Sequence, residues 1–209
     1  MKFGVLGTGQ VGRAIGGKLA RLGHDVMLGS RTPESPAIRD RAAAIGARLG
    51  THTEAAAHGE WIVNALPGEK AVGILTTCAI DGKILIDIAN YDHAVDSPIM
   101  VPVGLAIQTA FPAVRLVKTL NSVSAHLMVD PLGLSQSHSV FIASNDAAAK
   151  DEATNLLRAF GWRDIIDLGD LSACRAMEQL IPLWMALERK LGGPDFNLAV
   201  IRPQATAKE

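Results

Sequence analysis

Met1-Lys2-Phe3-Gly4-Val5-Leu6 runs directly into Gly7-Thr8-Gly9-Gln10-Val11-Gly12. An apolar strand that ends in glycines spaced G-x-G-x-x-G leaves few folds open. The first glycine allows a tight turn, the second lets backbone approach a pyrophosphate, and the third lets a helix close on the strand. The stretch from Val11 to Leu22 carries Val11, Ile15, Leu19 and Leu22 at the spacing of one helical face. Its free N–H groups and positive dipole end would point at phosphates. Gly7, Thr8, Gly9, Gln10, Val11 and Gly12 are therefore expected to hold a dinucleotide.

A second strand, Asp25-Val26-Met27-Leu28, ends in Gly29-Ser30-Arg31. The residue meeting the adenosine ribose should sit here, and it is neither Asp nor Glu. A carboxylate would accept the ribose hydroxyls and repel a 2′-phosphate. Ser30 and Arg31 instead offer a hydroxyl and a cationic fork that suit one, so the expected cofactor is NADP(H).

Strands and helices continue to alternate, which predicts an α/β protein with a Rossmann-type, doubly wound parallel sheet and a small C-terminal α/β lobe. Ser35 to Leu49 reads as one alanine-rich helix, residues 61–66 as a strand, Glu69 to Ala79 as a helix and residues 83–87 as a strand. Residues 115–120 are taken as the sixth strand, completing the nucleotide-binding sheet. Residues 139–143 and 164–168 read as further strands flanking a helix from Ala147 to Phe160, and a long last helix starts near Ser172. The turn-rich Asp130-Pro131-Leu132-Gly133 lies near the change between a nucleotide-binding domain, 1–125, and a C-terminal lobe, 126–209.

Twenty Lys and Arg stand against 21 Asp and Glu, with no run of like charge. This favours neither nucleic acid nor an anionic membrane as partner. Cys78 and Cys174 are too few and too far apart for a disulfide framework, and no Cys or His has metal-ligand spacing, so no metal is expected. No segment reaches the ~18 apolar residues of a membrane span, and the short, glycine-rich start does not read as a signal peptide. A cytoplasmic location is the expectation.

In such sheets ligands lie across the carboxyl ends of the strands. The residues there include Ala65, Leu66 and Pro67, then Ala89 and Asn90, then Asn121, all small or uncharged and all candidates for cofactor contact. Neither a Ser-His-Asp set, paired carboxylates nor a Tyr-x-x-x-Lys is present. Among His24, His52, His58, His93, His126 and His138, only His126 follows a site strand closely. Asp87 and Lys118 lie inside strands and read as a satisfied pair or a solvent-facing tip. Alcohol oxidation or ketone reduction needs a positioned proton donor or acceptor. Hydride exchange between two ring systems needs mainly stacking at about 3–3.5 Å and exclusion of water. No catalytic side chain is therefore assigned.

Gly7-Thr8-Gly9, Leu28-Gly29-Ser30-Arg31, Leu66-Pro67, Lys118-Thr119-Leu120-Asn121 and Gly169-Asp170-Leu171-Ser172-Ala173-Cys174-Arg175 with Glu178 resemble the NADP oxidoreductases that depend on the deazaflavin coenzyme F-420. The resemblance runs nearly end to end. It implies that Thr8, Ser30 and Arg31 contact the 2′-phosphate and that Asn121 lies where the deazaflavin meets the nicotinamide. It also implies a homodimer built with the C-terminal lobe. The cytosolic module of the six-transmembrane metalloreductases shares this fold and passes electrons to a flavin.

Met177, Leu180, Ile181, Trp184, Leu187 and Leu191 form a wide apolar stripe on the last helix, either core or subunit interface, and Pro182 should kink it. The expected activity is hydride transfer between NADP(H) and a deazaflavin or flavin. Two alternatives stand beside it. One is reduction of a small carbonyl or imine, with His126 or Tyr91 as donor, and the other is a nucleotide-binding module without turnover.

Overall fold

The computed structural model describes residues 1–92 and 100–203. Strands β1 (Lys2–Leu6), β2 (Asp25–Ser30), β3 (Arg48–Thr51), β4 (Trp61–Asn64), β5 (Ile84–Asp87), β6 (Arg115–Thr119), β7 (Ser139–Ser144) and β8 (Asp164–Asp167) form a single sheet in the order β3-β2-β1-β4-β5-β6-β7-β8. The first six are parallel, in the doubly wound order of dinucleotide-binding folds. β7 runs antiparallel to β6, and β8 is parallel to β7. The C-terminal strands thus continue the nucleotide-binding sheet rather than build a sheet of their own.

The helices are α1 (Gln10–Arg21), α2 (Pro36–Ala43), α3 (His52–His58), α4 (Gly68–Leu75), α5 (Val103–Ala110), α6 (Ala125–Val129), α7 (Ala147–Phe160), α8 (Cys174–Glu178) and α9 (Ile181–Leu191). They cover both faces, and so central strands bury both sets of side chains. Along β4, Trp61 and Val63 face the core shared with α1 and α7, while Ile62 faces the core shared with α4 and α5. β5 repeats this, with Ile84 and Ile86 on one face and Leu85 on the other.

Two expectations need correction. Residues 35–49 are not one helix: α2 stops at Ala43, Gly46 turns the chain at φ +71°, and Arg48–Thr51 becomes β3. A positive φ is open to glycine at little cost, so an alanine-rich stretch ends there. The new strand is followed at once by α3, whose first turn is closed by a capping box between Thr51 and Glu54. The last helix is likewise not continuous. α8 ends at Glu178 and α9 begins at Ile181, with Pro182 in its first turn, where a missing N–H costs nothing. Proline therefore starts a helix here instead of kinking one. The doubly wound, mostly parallel Rossmann-type sheet is as expected, with β7 returning antiparallel to β6 through α6 and the loop after it.

Candidate active site

The three fingerprint glycines are required for different reasons. Gly7 has φ +124°, and a Cβ there would stand 2.5 Å from the Ala65 carbonyl oxygen. A Cβ on Gly12 would stand 2.1 Å from the Gly7 oxygen, so the third glycine is what lets α1 touch the turn. A Cβ on Gly9 would meet nothing within 4 Å. The protein itself does not demand glycine at this position, and the space in front of it lies open at the start of α1. Gly9 caps that helix without a side-chain hydrogen bond, and the first turn holds no acidic residue. Free N–H groups, a positive dipole end and open space together fit a pyrophosphate. The turn is braced by Gly7 N–H donating to Gly29 O at 3.1 Å and by Arg13 donating to Thr8 O at 3.1 Å.

A cavity of about 170 Å³ opens beside this turn. It brings together Gly7, Thr8, Gly9, Ser30, Arg31, Ala65, Leu66 and Pro67 of the expected contacts. The buried Ser30 hydroxyl accepts from Thr32 N–H at 3.1 Å, and Arg31 is exposed. Gln10, Val11 and Gly12 form the first turn of α1. Ala89, Asn90 and Asn121 do not line this cavity and lie further along the sheet, after β5 and β6. His52 and Lys70 line it as well, and neither is among the expected contacts. The sequence signal that places His52 at a helix start is the Thr51-x-x-Glu54 capping box, which the alanine-rich stretch before it obscures.

At the ends of β5 and β6 two amides lock each other. Asn90 donates to Asn121 O at 2.7 Å, and Asn121 donates to Asn90 Oδ1 at 3.0 Å and to Met177 O at 2.8 Å. The turn that presents Asn121 passes through Leu120 at φ +61°, left-handed backbone that a leucine rarely adopts. Such strain is tolerated where the surroundings over-determine it, and it clusters at functional sites.

Below this shelf lies a buried ionic cluster. The Lys118 ammonium reaches Asp87 Oδ2 and Glu178 Oε1, both at 2.9 Å, and donates to Ala89 O at 2.6 Å; all three ionic side chains are 0% exposed. Asn64 donates to Asp87 Oδ1 at 2.8 Å, and Glu178 accepts from Val103 N–H at 2.8 Å and Gly104 N–H at 3.2 Å. Glu178 thus caps α5 from the far end of the chain. Burial pulls the Lys118 ammonium down, but Asp87 and Glu178 outweigh it and hold it above the ordinary lysine value. Of the two sequence readings for Asp87 and Lys118, the satisfied pair is the one present, with Glu178 as an added partner.

His126 is half exposed and pairs with Asp195 at 3.0 Å. Tyr91 donates to Val101 O at 2.8 Å, and burial, then the charges of Glu178 and Glu69, raise its pKa. His24 packs on Phe3, His58 pairs with Asp25, and His138 lies between Pro131 O and Asn197; His93 lies outside the described residues. Cys78 and Cys174 are free thiols, and burial pushes Cys174 up to about 12. Among the described residues no cluster of His, Cys, Asp or Glu could hold a metal, and no helix is long and apolar enough to cross a membrane.

The strand order and the fingerprint turn define the class: a protein with a Rossmann-type, dinucleotide-binding sheet. Residues 2–91 match the family model described as NADP oxidoreductase, coenzyme F420-dependent. The chain is similar to the crystal structure of a candidate F420-dependent NADP reductase from Arthrobacter sp. FB24. That likeness has a TM-score of 0.90 and 39% identity, covering 97% of this chain and 100% of that one. It is 29% identical to the F420-dependent NADP reductase of Methanothermobacter marburgensis over 213 residues, 91% of this chain and 93% of the relative. It is 28% identical to metalloreductase STEAP3 of Rattus norvegicus over 192 residues; that match takes in 88% of this chain but spans only 38% of the metalloreductase. The chain belongs to the coenzyme F420-dependent NADP oxidoreductase family, and it is an NADP-dependent oxidoreductase.

Proposed function

We propose that the chain transfers a hydride between NADP(H) and a deazaflavin of the coenzyme F-420 type or a flavin. One observation carries the reading. The ends of β4, β5 and β6 present Ala65, Ala89, Asn90 and Asn121, small or neutral groups, while Lys118, Asp87 and Glu178 are spent on one another beneath them. NADP(H) would supply the hydride chemistry, and the protein's part is to hold two flat rings in contact and keep water out. The α1 N-terminus takes the pyrophosphate in this reading, Ser30 and Arg31 take the 2′-phosphate, and the Asn90 and Asn121 pair sets the height of the shelf on which the rings meet. The names borne by the Arthrobacter and Methanothermobacter relatives point to the same acceptor. Residues 126–209 supply Met177 and Glu178, which hold the shelf from behind, and so this stretch completes the acceptor side. Reduction of a carbonyl or imine would need a proton donor, and both candidates weighed for it, His126 and Tyr91, are engaged elsewhere.

The test follows NADPH oxidation against deazaflavin, FMN, FAD, quinones and small carbonyls, with deuterium at the transferred position. The expected result is turnover with the deazaflavin or a flavin, deuterium arriving on the deazaflavin ring carbon, and losses on replacing His126 or Tyr91 far below the 10²–10⁴-fold of a missing general acid. Turnover of carbonyls alone, with a large loss at His126, would overturn it.

A further inference from the structure

Arg31, His52 and Lys70 are the basic residues lining the cavity beside the fingerprint turn, and its lining contains no carboxylate. His52 opens α3, immediately after β3 brings the chain back beside β2. A Cβ on Gly29 would stand 3.0 Å from His52 Cα and 3.1 Å from Cδ2 of its ring. Glycine at 29 therefore lets the imidazole lie against the last turn of β2, one residue before Ser30. We propose that His52 is a further specificity-determining residue for the nucleotide, taking up a proton from solvent as the 2′-phosphate binds and adding a charge-assisted hydrogen bond that NADH cannot receive. The proposal rests on the reading that places the 2′-phosphate at Ser30 and Arg31.

The charges around α3 leave His52 to this role. Glu54 on the same helix is turned onto Thr51, and Asp25 of β2 holds Arg48 of β3 and His58 at the opposite end of the helix. Lys2 of β1 contributes its backbone N–H to Glu60, and Lys83 at the edge of β5 donates to Ala56 O. The other charged groups that line the cavity with His52 are Arg31 and Lys70, both cations. Burial, then the Arg31 charge, lowers the imidazole below its ordinary value of 6.5, so it is neutral in the free protein near neutrality. A bound phosphate dianion reverses the sign of that field and favours the imidazolium. The added affinity is absent well above the bound-state pKa, grows as pH falls, and is complete once pH drops below the free-state pKa. The phosphate's own second ionisation near about 6 works the other way and sets the lower edge of the window.

The experiment measures Kd for NADPH and NADH between pH 6.5 and 8.5 in the native protein, His52→Gln and Arg31→Ala, with calorimetric proton uptake in two buffers of different ionisation enthalpy. In the native protein the NADPH preference should rise about tenfold as pH falls, with proton uptake on binding NADPH but not NADH. In His52→Gln the preference should be flat and the uptake gone. Gly29→Ala, whose Cβ would crowd the start of α3 at His52 and Ala55, should weaken the pH dependence as well. An unchanged pH slope and uptake in His52→Gln, with the NADPH preference reduced in Arg31→Ala, overturns this inference alone. An Arg31→Ala protein whose preference for NADPH is undiminished overturns the 2′-phosphate placement itself.

Discussion

A side-chain carbon at Gly9 would meet no protein atom, whereas one at Gly7 or Gly12 would strike a carbonyl oxygen. Gly9 also sits at φ −71° and ψ −171°, extended backbone that any residue adopts. Gly9→Val should therefore fold normally and lose nucleotide binding, because its side chain fills the space the pyrophosphate needs. Far-UV circular dichroism and an NADPH titration check this, and an unchanged titration would refute it. The same substitution at Gly12 would instead disrupt the packing of α1 on the turn. Motif spacing shows all three glycines; only the backbone around each shows which one serves the ligand.

At the scale of elements, Lys118 joins parts of the chain that are distant in sequence. From β6 it reaches β5 through Asp87 and the Ala89 carbonyl, and α8 through Glu178, which itself caps α5. A buried pair broken by removing one partner costs about 3–5 kcal/mol, since the charge left behind is uncompensated. Lys118→Met should lose about that much stability in urea unfolding at neutral pH. Adding Glu178→Gln should recover part of it, because one stranded carboxylate is then neutral. A Lys118→Met protein as stable as the native one would show that the cluster holds nothing together.

For the whole molecule, α9 is the element that the fold of one chain does not explain. None of its residues is buried, yet it carries Ile181, Leu183, Trp184, Leu187 and Leu191, with Leu183 and Leu191 exposed by 51% and 62%. The Trp184 indole N–H is shielded from solvent and has no hydrogen-bond partner among the described residues. We infer that this face is covered by a second copy of the chain. Light scattering should give twice the 22.0 kDa chain mass, and Leu183→Glu, placing a charge in the apolar face, should shift it toward the monomer. A native protein that stays at the single-chain mass at high concentration would refute the dimer.

The sequence by itself determined the nucleotide-binding sheet and its cofactor class, because both follow from short-range rules. A strand, three glycines and a helical face are contiguous, and the absence of a carboxylate after β2 can be read at one position. Apolar runs likewise located β4, β5, β6, β7 and α7. What it left open depended on contacts between distant segments. β3 was lost inside an apparent helix because alanines favour helix locally, while a turn at Gly46 and pairing with β2 decide for a strand. With β3 lost, His52 could not be placed beside Arg31. Glu178 was legible as part of a motif, but its partners Lys118, Val103 and Gly104 lie 60, 75 and 74 residues away, and only tertiary packing, by taking all these groups out of water, forces them to satisfy one another.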